Sequence, residues 1–184
     1  VKKFFFFCLI YFIIIEVHAS VKIKILNNLE SINNISFNFK QRIEQKEETG
    51  KCIIQYPKKI HCLYDDKYNK LLVSDGNSLV IKSEKNRQYY LYPLERTSLN
   101  IILNKKLLIK TIKKSDEKLL NGTHYTFSIS IENNLVNIFF DNKKYNLVGW
   151  QTEDIYQNQT ATFIYNLEYN KKINNSLFNL PSMH

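Results

Sequence analysis

The residues with the chemistry to catalyse, ligate or cross-link are few and scattered in this chain. Beyond its first nineteen positions they are Cys52 and Cys62, His61, His124 and His184, and three adjacent acid pairs: Glu47-Glu48, Asp65-Asp66 and Glu153-Asp154. A metal site needs ligands at recurring spacing, and the three histidines share none. General acid–base or nucleophilic catalysis needs a base beside a nucleophile, and no such constellation assembles. Neither a Gly-rich phosphate loop nor a nucleophile elbow occurs. The acid pairs fall in polar turn segments and read as solvated. No catalytic residue, metal or cofactor is therefore expected, and the chain does not read as an enzyme. Cys52 and Cys62 flank Tyr56-Pro57-Lys58-Lys59, and a hairpin centred near Pro57 brings them close to opposite one another. Two outcomes stay open, a disulfide or two small side chains packed on neighbouring strands, because pairing needs a specific Cα separation.

The segment before those residues points to an exported protein. Lys2 and Lys3 precede an unbroken apolar run from Phe4 to Ile15, followed by Val17-His18-Ala19. A basic start, an apolar stretch too short to span a bilayer and a small residue at its end form the pattern of a secretory signal. The expectation is a cleaved signal peptide over residues 1–19 and one soluble domain over residues 20–184. The formal charge of +9 would suit nucleic acid or an acidic surface. Only three of the 26 basic residues are Arg, however, and phosphate recognition favours the guanidinium fork. Nucleic acid is not expected as a partner, whereas weak attraction to an acidic envelope surface is compatible with the charge.

The apolar periodicity describes the scaffold. Ile25, Leu29, Ile32 and Ile35 recur at helical spacing, and then the period changes from 3.6 to 2 as Phe37, Phe39, Gln41 and Ile43 alternate with polar residues. Strand segments follow around Cys52 to Tyr56, Ile60 to Tyr64, Leu71 to Ser74, Leu79 to Lys82 and Gln88 to Tyr92, with Asp75-Gly76-Asn77 as a hairpin turn. Thr97 or Ser98 can cap a short helix carrying Leu99, Ile102 and Leu103, resuming through Leu107 to Ile112. Strands return at Tyr125 to Ile131, Val136 to Phe140 with Asn133-Asn134 as a turn, Tyr145 to Gln151, and Ala161 to Tyr169. About ten strands and a few helical segments imply a mainly β fold, a single curved antiparallel sheet whose apolar face the helices must cover. Phe and Tyr together number 24, more than so few helices can pack against, which is consistent with a cavity for an aliphatic ligand.

The order of motifs resembles the LolA family of periplasmic lipoprotein carriers. It runs through Phe37-Asn38-Phe39-Lys40-Gln41, Gly50-Lys51-Cys52-Ile53-Ile54-Gln55-Tyr56-Pro57, and Leu72-Val73-Ser74-Asp75-Gly76-Asn77-Ser78-Leu79. It continues with Pro93-Leu94, Thr97-Ser98-Leu99-Asn100-Ile101-Ile102-Leu103, Leu147-Val148-Gly149-Trp150, Asp154, Thr160 and Phe178-Asn179-Leu180-Pro181. The resemblance spans about residues 25 to 181. It implies an open, incomplete β-barrel closed by a helical lid, holding acyl chains in its interior. By position it assigns the cavity lining to Phe37, Phe39, Ile54, Tyr56, Ile60 and Cys62 on the sheet, with Leu99, Ile102 and Leu103 beneath the lid. Tyr56 stands where the family commonly carries an Arg that ties lid to barrel. The implied partners are acylated lipoproteins as cargo, an ATP-driven inner-membrane complex that loads the carrier, and an outer-membrane receptor or acceptor membrane that unloads it. A monomer is expected. Two other readings share the same residues: a half-barrel that binds another lipid or senses mislocalised lipoprotein, and a basic structural protein of the envelope whose aromatic residues are all core.

Overall fold

The computed structural model describes residues 20–131, 134–153 and 158–183. The segment read as a signal peptide, together with Asn133, Asp154 and His184, lies outside the described residues. Helix α1 (Val21–Ser31) starts where the Ser20 hydroxyl accepts a hydrogen bond from the Ile23 amide, and it buries Ile25, Leu26 and Leu29. The switch to period 2 then produces β1 (Asn34–Ile43), which buries Ile35, Phe37 and Phe39 on one face. A meander follows: β2 (Lys46–Gln55), β3 (Lys59–Tyr64), β4 (Lys70–Asp75), β5 (Ser78–Ser83) and β6 (Gln88–Pro93). Between β4 and β5 the Asp75 carboxylate accepts from the amides of Asn77 and Ser78, at 2.8 and 2.9 Å, and Gly76 sits at φ +110°, a backbone that L side chains rarely adopt.

The connection from one edge of the sheet to the other is helical. A short 3-10 turn (Leu94–Arg96), α2 (Leu99–Leu103) and α3 (Lys105–Lys114) carry the chain from β6 to β7 (Glu117–Leu120). From there β8 (His124–Ile131), β9 (Asn134–Asp141), β10 (Leu147–Glu153) and β11 (Gln159–Tyr169) walk back until β11 pairs with β1. The result is one antiparallel sheet of order β6-β5-β4-β3-β2-β1-β11-β10-β9-β8-β7 among the described residues. Its two edges, β6 and β7, do not pair, so the barrel stays open. This is the incomplete barrel with a helical cover expected from the sequence, with two adjustments. An eleventh strand, β7, has only four residues and no apolar alternation to announce it. Strand β2 begins at Lys46, six residues before the apolar segment that marks it in the sequence. The caps also differ. Asn104, whose side chain accepts from the Leu107 amide, caps α3, while the hydroxyls of Thr97 and Ser98 donate to the carbonyls of Leu94 and Glu153 instead.

The helices cover only part of the concave face. Ile101, Ile102, Leu103, Leu108 and Ile112 are buried in one cluster with Ile35, Phe37, Ile54, Ile138 and Phe140 of the sheet. Much of the convex face is left to solvent, but part of it is covered by the chain after β11. Val73 and Val80 pair across β4 and β5 on that side and are buried. The second 3-10 turn (Asn175–Phe178) packs on β3 and β4, burying Phe178. The tail is tied down along its length: the Asn34 and Gln55 amides donate to the Lys171 carbonyl and the Asn175 side chain, and the Tyr89 hydroxyl donates to the Pro181 carbonyl. Truncating a buried Phe costs about 3–5 kcal/mol. Phe178→Ala should therefore lower the thermal midpoint by several degrees or more; a melt unchanged from wild type would show that the tail does not secure the sheet.

Candidate functional site

Where the helices stop covering the concave face, the space between sheet and α2 is a cavity of about 530 Å³. Strand register arranges its wall in layers. Cys52, Cys62, Leu72, Ile81 and Tyr90 stand in one row across β2 to β6, each the cross-strand partner of the next. One strand step nearer the helices lie Ile60, Leu79 and Tyr92, with Leu99 of α2, while Trp150 lines the wall in register with Thr162 and Gln41. Farther from the helices, at the hairpin ends of the strands, the lining becomes polar: Gln41, Glu48, Lys70, Ser83, Gln88 and Thr160. On β2 to β6 the lining thus grades from apolar beside the lid to a polar rim at the far strand ends, and Arg96, Thr97, Ser98, Thr152 and Glu153 add a second polar stretch where the segment before α2 meets β10.

The rim holds the strongest electrostatics of the described chain. The Glu48 side chain is only 8% exposed and lies between two ammonium groups, Lys46 at 2.7 Å and Lys70. Burial pushes the Glu48 pKa up, but hydrogen bonds from Lys46 and Lys70 and their charges outweigh it and hold the carboxyl below its ordinary range. The Lys70 ammonium also sits 3.8 Å from the centroid of the Tyr64 ring, a cation–π contact, and the Tyr64 hydroxyl faces the Gln41 side chain. Burial, aided by the Glu48 and Asp66 charges, raises the Tyr64 phenol above its usual range. Glu48 corrects the reading of its acid pair as solvated. Strand alternation sends Glu47 outward to Lys40, 2.9 Å away, and Glu48 inward to the cavity wall. Nothing local in the sequence signals this, because Lys70 comes from a strand 22 residues on. Asp66 is structural, accepting from the amides of Tyr68 and Lys70 in the β3–β4 turn, whereas Glu153 also lines the cavity.

The residues singled out from the sequence divide between two environments. Phe39, Ile60, Cys62 and Leu99 line the cavity. Phe37, Ile54, Ile102 and Leu103 lie in the closed core beneath the helices, buried to within 3% or less, with Phe37 edge-on to Trp150. Tyr56 packs against that core, and the Lys105 ammonium lies 5.5 Å from its ring while donating to the carbonyls of Glu30 and Ile32, at 3.2 and 2.7 Å. A cation therefore does join lid to barrel at this position, but α3 supplies it. It also satisfies the carbonyls at the end of α1, where the helix dipole is negative. The lining residues Leu72, Leu79, Ile81, Tyr90 and Tyr92 were strand residues to the sequence reading and nothing more; register with Cys62 would have placed them.

Cys52 and Cys62 are directly paired across β2 and β3, with Cα atoms 4.1 Å apart and their sulfurs bonded. The bond lies in the cavity wall. His61, their neighbour, points to the other face of the sheet, and burial holds its imidazole below its ordinary range. Among the described residues no group of three or more His, Cys, Asp or Glu could hold a metal ion, and no helix is long and apolar enough to cross a membrane.

A model of the family described as outer membrane lipoprotein carrier protein LolA matches residues 30–181. The chain belongs to the LolA family. Among solved structures this LolA-family protein is similar to a DUF1329 family protein from Desulfovibrio piger, at 8% identity and TM-score 0.48, covering 86% of this chain and 94% of that one. It is also similar to a LolA superfamily protein from Nitrosomonas europaea, at 7% identity and TM-score 0.42, covering 88% and 99%. A chain of the MucA/MucB complex of Pseudomonas aeruginosa matches at 10% identity and TM-score 0.48, covering 90% of this chain and 62% of that one. A comparison with curated protein sequences gives no match.

Because the folded protein holds Glu48 below the carboxylate's ordinary 4.5, the stability it contributes is fully present above that value. It is lost as pH falls through the lower, folded-state value. Wild type should therefore melt higher than Glu48→Gln at neutral pH, and the gap should close as the solution is acidified below about 4. A gap that stays constant across that range would mean that Glu48 is solvated after all.

Proposed function

We propose that this protein binds the acyl chains of lipoproteins in the 530 Å³ cavity and carries them through the periplasm from the inner to the outer membrane. The observation that carries this reading is the unfilled space between sheet and lid, apolar on its lid side, in a chain of the LolA family. Each methylene taken out of water contributes roughly 0.8 kcal/mol, so a lipoprotein cannot cross an aqueous compartment with its chains exposed. A cavity walled by Leu72, Leu79, Ile81, Tyr92 and Trp150 supplies the apolar surroundings that the chains need. Export by residues 1–19, with residues 20–184 as the working domain, would place the protein there. An ATP-driven inner-membrane complex would load it, and an outer-membrane receptor or the acceptor membrane itself would unload it.

Size bears on how the cargo is held. A methylene fills about the space of a water molecule, roughly 30 Å³, so a cavity of 530 Å³ has room for at least one long acyl chain. The edges β6 and β7 do not pair with each other, which leaves the barrel open. The same openness favours release, since only differential affinity between carrier and acceptor can move the cargo onward.

A charge placed on the cavity wall separates a cavity from a packed core. Leu72→Glu puts a carboxylate beside the polar rim, where water can reach it, so the variant should melt near wild type and take up no fluorescent fatty-acid probe. Ile102→Glu buries a charge in the closed core at a cost of several kcal/mol and should unfold the domain. If Leu72→Glu takes up the probe as wild type does, this cavity is not the binding site.

A further inference from the structure

The polar rim is built, not merely exposed. Gln41, Glu48, Tyr64 and Lys70 come from four different strands, all line the cavity, and are linked to one another by an ion pair, a cation–π contact and a hydrogen bond. An ion pair this buried adds nothing to the holding of an aliphatic chain, and removing charges from water is costly. Its position is informative: it stands at the end of the cavity away from the lid, one strand step beyond the apolar row of Cys62, Leu72 and Ile81. Resting on the reading of the cavity as an acyl-chain site, we propose that this rim is a head-group subsite. It orients a single chain with its tail on the apolar side formed by Ile60, Leu79 and Leu99 and its polar end at Lys70.

The hydrogen-bond inventory sets the chemistry of that head. Both Glu48 carboxylate oxygens are engaged, one by Lys46 and one by Lys70, and the Gln41 side-chain oxygen faces the Tyr64 hydroxyl. Lys70 has three N–H donors, of which Glu48 takes one. Gln88 and Thr160 place further polar groups around the same opening, while the Ser83 hydroxyl is spent on the Tyr68 carbonyl. The unspent donors of Lys70 therefore set the preference of the rim. It suits a head rich in acceptor oxygens, whether the ester carbonyl of an acylated protein terminus or the carboxylate or phosphate of a free lipid, and it disfavours an ammonium. The orientation also follows from the lid. Lys105 fastens α3 to the end of α1, and Ile102 and Leu103 are fully buried, so the route that requires no core residue to move is tail-first through the rim.

The test compares wild type with Lys70→Met, which keeps the stem of the side chain and removes its charge. Three probes share one tail and differ in the head: palmitate, methyl palmitate and hexadecylamine, each measured by displacement of a fluorescent fatty acid. Lys70→Met should bind palmitate roughly tenfold more weakly than wild type does, the size of one charge-assisted hydrogen bond at a partly wet site, and hexadecylamine no more weakly. Lys70→Arg should restore palmitate. Methyl palmitate tells the sources apart: a loss equal to that of palmitate points to an ester head, and no loss points to a free anionic lipid. If Lys70→Met melts poorly, Lys70→Gln reads the same contrast. Equal changes for all three heads, or none, would overturn the subsite while leaving the cavity. Failure of wild type to bind any of the three would overturn the acyl-chain reading with it.

Discussion

A single sheet of eleven strands presents more apolar surface on its concave face than three short helices can cover. Two packed sheets solve this by interdigitating; among the described residues the only α-helices here are α1, α2 and α3, of eleven, five and ten residues. They fill the space over Ile35, Phe37, Ile54, Ile138 and Phe140, and there the interior is closed. Cys62, Leu72, Ile81 and Tyr90 instead line the cavity that the helices leave unfilled. The cavity therefore follows from the topology itself, because α2 and α3 are spent on the crossover from the β6 edge to the β7 edge.

The same constraint explains why the ends of the molecule are fastened so firmly. An open sheet has two unpaired edges and a convex back, each a liability in water. The chain after β11 covers part of the back with Phe178, and Lys105 binds the lid helices together at the carbonyl end of α1. Cys52–Cys62 joins β2 to β3 in the cavity wall itself, where no helix packs; closing so short a loop contributes at most about 3 kcal/mol by the chain-entropy account. Among the described residues the edges β6 and β7 are not paired with each other, so the sheet stays open between them.

Much of the scaffold was legible in the sequence because period is a local property. The Asp75-Gly76-Asn77 turn and the alternation through Tyr125 to Ile131 became the elements they implied, whereas the helical spacing runs past its helix: α1 ends at Ser31, Ile32 caps it and Ile35 already belongs to β1. Strand β7 was not legible, since Glu117, Lys118, Leu119 and Leu120 alternate nothing and are held by pairing with β8. The polar first half of β2 was hidden for the same reason. Among the candidate site residues, Phe39, Ile60, Cys62 and Leu99 reach the cavity, whereas Phe37, Ile54, Ile102 and Leu103 share their faces but lie under the helices. Alternation tells which face a residue takes; it cannot tell how far along the strand the cover extends. The Glu48–Lys70 pair was out of reach altogether, because it is made by register between strands that are distant in sequence.

The central claim is that an acyl chain, and through it a lipoprotein, occupies the space that the helices leave open. The most direct measurement places a photo-crosslinking residue at position 72 and co-expresses the protein in a Gram-negative cell with one lipoprotein, in its acylated form and in a variant lacking the acylated cysteine. The account predicts a cross-link to the acylated lipoprotein and none to the unacylated one. A cross-link of equal yield to both, or to neither, would contradict it.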